Sequence, residues 1–221
     1  MMGMDTRVVA SAVLTLLVCP VVGFAAPVAI DNAAFNDAAG IGAWTRNVAD
    51  YAGAYGYGST GSTFTVEYGG KFGYVEPGSA GQTVWLRQVL DGTNPGNDDA
   101  EITAGWTYTL DVLVGNPGGG SWPGDESGFK VALEAADGTV LAYADDAGTA
   151  AIADKSWAAI TVEYTAPQSG SVLGQNLTIR LSGENGGSSP AFEEVELDAV
   201  PEPMSLALLA VGGVGLLWKR R

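Results

Sequence analysis

Histidine is absent from all 221 residues, and cysteine occurs once, as Cys19. Without an imidazole the chain has no side chain that titrates near neutrality at its ordinary pKa, and the usual general base is excluded. Zinc sites built from His and Cys are excluded with it. Basic residues are scarce too: ten Lys and Arg face 25 Asp and Glu, a formal net charge of −15. Such a surface repels phosphate backbones, so nucleic acid is not an expected partner. Long amphipathic helical patterns are missing, and no Gly-x-Ser-x-Gly elbow is present for a serine nucleophile.

The two ends differ from the acidic middle. Arg7 precedes an apolar stretch from Val8 to Val22, and Gly23-Phe24-Ala25 supplies the small residues a signal peptidase needs. Residues 1–25 are read as a secretory signal peptide cleaved by signal peptidase after Ala25. Cys19 leaves with it, so the exported chain has neither thiolate nor disulfide. At the other end, Met204 to Trp218 carries no charge and is closed by Lys219, Arg220 and Arg221. Fifteen helical residues rise about 22 Å, short of the roughly 30 Å hydrocarbon core. Gly212 and Gly213 in its middle suit a membrane helix better than a soluble one. Residues 204–218 are therefore predicted to be a single transmembrane helix, with the 219–221 cations as its cytoplasmic anchor. Pro201 and Pro203 are expected to stop regular structure from running into it.

Val200-Pro201-Glu202-Pro203, then a short apolar helix, then Lys219-Arg220-Arg221, resembles the PEP-CTERM sorting signal of Gram-negative bacteria. The resemblance implies that an exosortase, a membrane cysteine transpeptidase, recognises residues 200–203. It also implies a transient anchor in the inner membrane, followed by the cell surface or medium, and association with extracellular polysaccharide in biofilm.

Residues 26–199 then form one exported domain of about 174 residues, carrying 6 of the basic and 23 of the acidic residues, or −17. Its 32-glycine parent chain reads as many turns separating short β-prone runs. Strands are predicted at Thr63–Tyr68, Thr83–Leu90, Trp106–Val114, Phe129–Glu134, Thr139–Tyr143, Ala159–Tyr164, Asn176–Leu181 and Phe192–Leu197. Asp137-Gly138 makes a hairpin turn between the fourth and fifth. In the Trp106 run, Trp106, Tyr108, Leu110 and Val112 share one face. Eight or so strands without disulfides predict an all-β, jelly-roll-like two-sheet sandwich. The order DNAAFND, TVWLRQ, ITAGWTYTLDVLVG, GFKVALEAADGTVLA, LGQNLTIRLSG and FEEVEL is similar to galactose-binding-like β-sandwich modules. Asn36 stands where that family usually has an acid, and Glu193-Glu194 where it has Asp-Asn.

Two ligand chemistries fit the loops. Asp91, Asn94, Asn97, Asp98, Asp99 and Glu101 crowd DGTNPGNDDAE with the hard oxygens that suit calcium, although the spacing is not that of an EF-hand. An ordinary Asx-rich connection has the same composition. A second acidic set, Asn32, Asp37, Glu193 and Glu194, is implied only by the module resemblance. Tyr51, Tyr55, Tyr57 and Trp122 lie in glycine-rich loops, where aromatic faces either stack on sugars or cap the sandwich ends. Trp85, Trp106 and Trp157, in or beside strands, are expected in the core. With no histidine, thiolate or serine elbow, the domain is expected to be a non-enzymatic surface or matrix protein, the alternative being a carbohydrate-binding module.

Overall fold

The computed structural model describes residues 25–35, 41–48, 52–56, 71–79, 81–93, 98–118, 128–184 and 189–201. The signal peptide, the Thr63–Tyr68 run and the 202–221 segment lie outside them. Among the described residues there is no helix, and none long and apolar enough to cross a membrane. The strands are β1 (Ala26–Val28), β2 (Thr45–Arg46), β3 (Ala52–Gly56), β4 (Lys71–Val75), β5 (Val84–Val89), β6 (Trp106–Asn116), β7 (Phe129–Ala135), β8 (Val140–Asp145), β9 (Ser156–Thr165), β10 (Leu177–Gly183) and β11 (Ala191–Pro201).

They form two antiparallel sheets. One runs β3-β4-β11-β6-β9, with β1 pairing the later part of β11; the other runs β2-β5-β10-β7-β8. Alternation puts one residue of every two into the space between them. Tyr108, Leu110, Val112 and Val114 of β6 face Leu86 of β5, Val131 and Leu133 of β7, and Ile179 and Leu181 of β10 in one buried cluster. Each such side chain contributes roughly 1.5–3 kcal/mol when removed from water. Trp106, expected to share that face fully, is only half-buried at the strand's end.

The Asp137-Gly138 hairpin joins β7 to β8 as expected, with Gly138 at φ 89°. The segment before β2 supplies the plug that the alternating pattern does not announce. Phe35 and Trp44 pack with their rings tilted by 31° at 5.2 Å between centroids, both buried. The room for Phe35 comes from Gly73 of β4, where a Cβ would lie 2.6 Å from the ring. Pro201 does not exclude the sheet: it is the last residue of β11, opposite Trp106. A proline ending a strand withdraws only its own donor.

The last strand carries an irregularity that matters for the site. Glu193 pairs with Leu113 but Glu196 pairs with Asp111, so β11 has one residue more than β6 between those rungs. Glu194, at φ 50°, takes up the extra residue. Val195 N–H, next to it, donates to the Ala33 carbonyl at 3.2 Å. Without this bulge, Phe192 and the set Val195, Leu197 and Ala199 could not all point inward. With it they do, and Glu193 faces the outside of the sheet.

Candidate active site

Glu193 faces outward from its sheet and yet has 0% exposure. The register explains what surrounds it. Ala191 pairs with Tyr74 on one side and Gly115 on the other, and Gly115 pairs with Trp157. Phe192 pairs with Gly73, the last rung of that ladder, and Phe72 is the residue before Gly73 on β4, on the same outer face as Glu193. Leu113 is its partner on β6. The outer face at this end of the sheet is thus a floor of Ala191, Gly115 and Leu113, walled by Phe72 and Tyr74 from β4 and Trp157 from β9.

Phe72, Ala191, Tyr74 and Trp157 pack as a second apolar cluster, distinct from the core between the sheets. The Phe72 and Trp157 rings meet edge to face at 6.3 Å between centroids. The Tyr74 ring lies across Gly53 of β3, where a Cβ would come within 3.1 Å of it. A buried carboxyl beside aromatic rings is costly unless it is partnered, and Glu193 does have a partner in the structure. Chemically, such a group can give or take one proton away from bulk water, while the rings hold an apolar substrate and stabilise developing positive charge.

The predicted calcium loop is only partly described, since Asn94 and Asn97 lie outside the described residues. Of the acids that are described, Asp91, Asp98 and Asp99 are engaged through their carboxylates and Glu101 through its backbone. The Asp91 carboxylate accepts from Thr93 Oγ1 at 2.6 Å and from Thr93 N–H at 3.0 Å. The Thr93 hydroxyl, and then its backbone N–H, hold the Asp91 pKa below the ordinary carboxylate value. Asp98 Oδ2 accepts from Ala29 N–H at 2.9 Å, and Asp99 Oδ1 accepts from Asn176 Nδ2 at 2.6 Å. Glu101 forms a β-bridge with Asn176, and its carbonyl accepts from Tyr108 Oη at 2.9 Å. Among the described residues no three His, Cys, Asp or Glu side chains converge as a metal set. In the second acidic set Asp37 is outside the described residues.

Of the loop aromatics, Tyr51, Tyr57 and Trp122 also fall outside the described residues. Tyr55 is placed by its backbone alone, in β3 opposite Phe72. In the sorting motif Val200 and Pro201 are the final rungs of β11, opposite Thr107 and Trp106. Glu202, Pro203, Lys219, Arg220 and Arg221 lie beyond the described residues. None of Trp85, Trp106 and Trp157 is fully buried; among the described residues the buried tryptophan is Trp44. Alternation turns Trp157 outward, because its neighbour across β6 is Gly115, one step from the inward Val114.

The described residues define an all-β protein of two antiparallel sheets with a buried acid on one outer face. The chain belongs to the HpiC1-like family, described as HpiC1 cyclase, whose model matches residues 22–200. The PEP-CTERM protein-sorting motif matches residues 199–221. A cyclase from Fischerella sp. TAU superposes with a TM-score of 0.64 at 25% identity, covering 81% of this chain and 99% of that one. A Stig cyclase, Fisc, from Fischerella sp. TAU, in complex with (3Z)-3-(1-methyl-2-pyrrolidinylidene)-3H-indole, does so at 0.66 and 25% identity, covering 81% and 100%. An arabinose-bound α-L-arabinofuranosidase shares the fold at 0.52 and 19% identity, covering 78% of this chain and 26% of that one. No curated protein matches.

These matches overturn the expectation of a non-enzymatic domain: family and structures point to a cyclase. The elimination behind that expectation covered histidine, thiolate and serine chemistry. It left out a single buried carboxyl among apolar walls, which needs none of those partners. The sequence signal was present in AFEEVEL, where Phe192 and Val195 are three apart and Val195 and Leu197 two apart. That spacing marks a bulge, and a bulge next to an inward phenylalanine re-aims an acid.

Proposed function

We propose that this exported, PEP-CTERM-sorted protein is a cyclase that closes a ring in an apolar, aromatic-bearing substrate, with Glu193 as its proton donor. The observation that carries the reading is the full burial of Glu193, paired with Leu113, on the outer sheet face that also carries the Phe72–Trp157 contact. The family supports a cyclase, and the indole held by the Fisc relative supports a flat, apolar substrate.

In the reaction the Glu193 carboxyl gives its proton to a substrate double bond. The resulting cationic carbon is attacked by a second π-bond, forming the ring's carbon–carbon bond. The carboxylate then removes a proton from an adjacent carbon, so the product is an isomer and Glu193 is regenerated. Phe72, Tyr74 and Trp157 present π-faces to the transient cation, an interaction worth about 2 kcal/mol or more once water is excluded. Their second task is to keep that water out, because water would capture the cation as an alcohol.

The test uses the full chain and the indole held by the Fisc relative as a binding probe, followed by calorimetry. Phe72→Ala and Trp157→Ala should each weaken binding about tenfold or more. Glu193→Gln should leave the affinity within about threefold. Supplied with an indole-bearing polyene, the same variant should lose ring closure by about a hundredfold or more, the usual contribution of a general acid. Unchanged binding in both aromatic variants, or unchanged ring closure in Glu193→Gln, overturns the reading.

A further inference from the structure

The outer face of the second sheet carries a charge arrangement that a cyclase site does not use. Arg87 of β5 and Arg180 of β10 are direct cross-strand partners. Like charges placed opposite one another in a ladder are destabilising. One acid stands against the two: Glu134 of β7, 2% exposed, with Oε1 3.0 Å from Arg180 Nη1 and Oε2 3.6 Å from Arg87 Nε. The two guanidinium side chains are themselves only 22% and 24% exposed. The set is fixed in place, since Arg87 Nη2 also donates to the Ala136 carbonyl at 3.0 Å. Among the described residues, two cations and one anion leave an excess of one positive charge here, within a chain of net charge −15.

Hydrogen bonding is incomplete in the same place. Arg87 Nε, Arg180 Nε, Thr178 Oγ1 and the acceptor Glu134 Oε1 are buried and have no partner of hydrogen-bond geometry among the described residues, so three of the four can donate. Thr178 is the cross-strand partner of Glu134, so all of these groups share one face. Buried donors without partners each cost on the order of 1–3 kcal/mol, more when charged. Between Arg180 and the exposed Tyr143 stands Ala132, which pairs with both and is the smallest side chain of that rung. Lys130 in the adjoining row is already engaged, 3.7 Å from Glu184 and 4.2 Å from the Tyr143 ring centroid.

We infer that Arg87 and Arg180 form a binding site for one organic carboxylate, on the sheet opposite to the one that carries Glu193. A single carboxylate cancels the excess charge, and its planar pair of oxygens matches the planar donor edges of guanidinium groups. Acidic surface elsewhere on the chain disfavours polyanions at other positions, which makes this face selective by contrast. The carboxylate belongs either to a small free acid or to a sugar acid.

Calorimetric titration of the full chain at constant ionic strength tests this, with sodium acetate, sodium galacturonate and neutral galactose as probes. Saturable binding of both acids assigns a bare carboxylate; binding of galacturonate alone assigns a sugar acid; galactose should not bind. Glu134→Gln raises the excess to two positive charges and should tighten binding about fivefold or more. Arg87→Gln removes the excess while leaving the closer Arg180–Glu134 pair intact, so it should fold and weaken binding about tenfold or more. The opposite signs separate a site from a general loss of structure. Absence of saturable binding by either acid, or equal affinity in wild type and both variants, overturns the inference.

Discussion

Phe72 and Trp157 touch edge to face, 6.3 Å between ring centroids, although β11 and β6 lie between the strands that carry them. Three strand spacings separate those backbones by about 14 Å. The rings close that gap only because the residues between them are small: Ala191 pairs with Gly115, and the two form the floor over which Phe72 and Trp157 lean together. The walls of the candidate site are therefore set by what is missing from the floor.

Ala191→Leu should fill that floor. Ala191 is fully buried, so the added side chain must push the two rings apart, at a cost typical of overpacking, about 1–3 kcal/mol. The expected outcome is a lower urea midpoint together with loss of the indole probe. A variant that keeps both stability and binding would show that the rings are not held over Ala191.

Much of the sandwich was legible because half-buried strands alternate. β5, β6, β7, β9 and β10 fall within a few residues of their predicted spans, and Asp137-Gly138 turns as read. β3 and β4 were missed for a physical reason. Their sequences, AGAYG and KFGYV, give glycine where a close approach requires it, Gly53 under Tyr74 and Gly73 against Phe35, and glycine reads as a turn. The site was illegible for a different reason. Phe72, Trp157 and Glu193 come from three strands far apart in the chain, and only the β4-β11-β6-β9 order brings them together. Within β11 the bulge spacing was visible, but its consequence for Glu193 depends on strands that the local pattern does not name.

Acid should act on the β7–β8 hairpin. The Asp137 pKa is lowered first by the Thr139 backbone N–H, 2.8 Å from Oδ1, then by the Thr139 side chain and by Gln175, whose Nε2 lies 3.1 Å from Oδ2. A carboxyl whose folded pKa is depressed contributes stability above its unfolded pKa, about 4, and loses it as the pH falls through the folded value. Asp137→Asn should therefore unfold more easily than wild type at pH 6, and the two should converge as the pH falls through the folded-state value. Urea midpoints measured from pH 2 to 7 check this. Curves that stay parallel down to pH 2 would show that the carboxylate charge contributes nothing.

The sorting motif begins inside the fold, and that shapes the last prediction. Val200 and Pro201 hold the final rungs of β11, opposite Thr107 and Trp106, while the motif's match runs from residue 199 to 221. A processing enzyme that engages Pro201-Glu202-Pro203 must therefore grip a segment whose first residue is still paired in the sheet. Changing all three to alanine leaves the β11 ladder through Val200 untouched and restores a backbone donor at 201, so the domain should fold and be exported as before. The expected loss is release: the triple variant should stay in the inner-membrane fraction while wild type reaches the surface or the medium. Fractionation with an antibody to the domain reads this directly, and protease protection in spheroplasts confirms export. If the variant reaches the surface as fully as wild type, the three residues are only a link between the sheet and the apolar run from Met204 to Trp218.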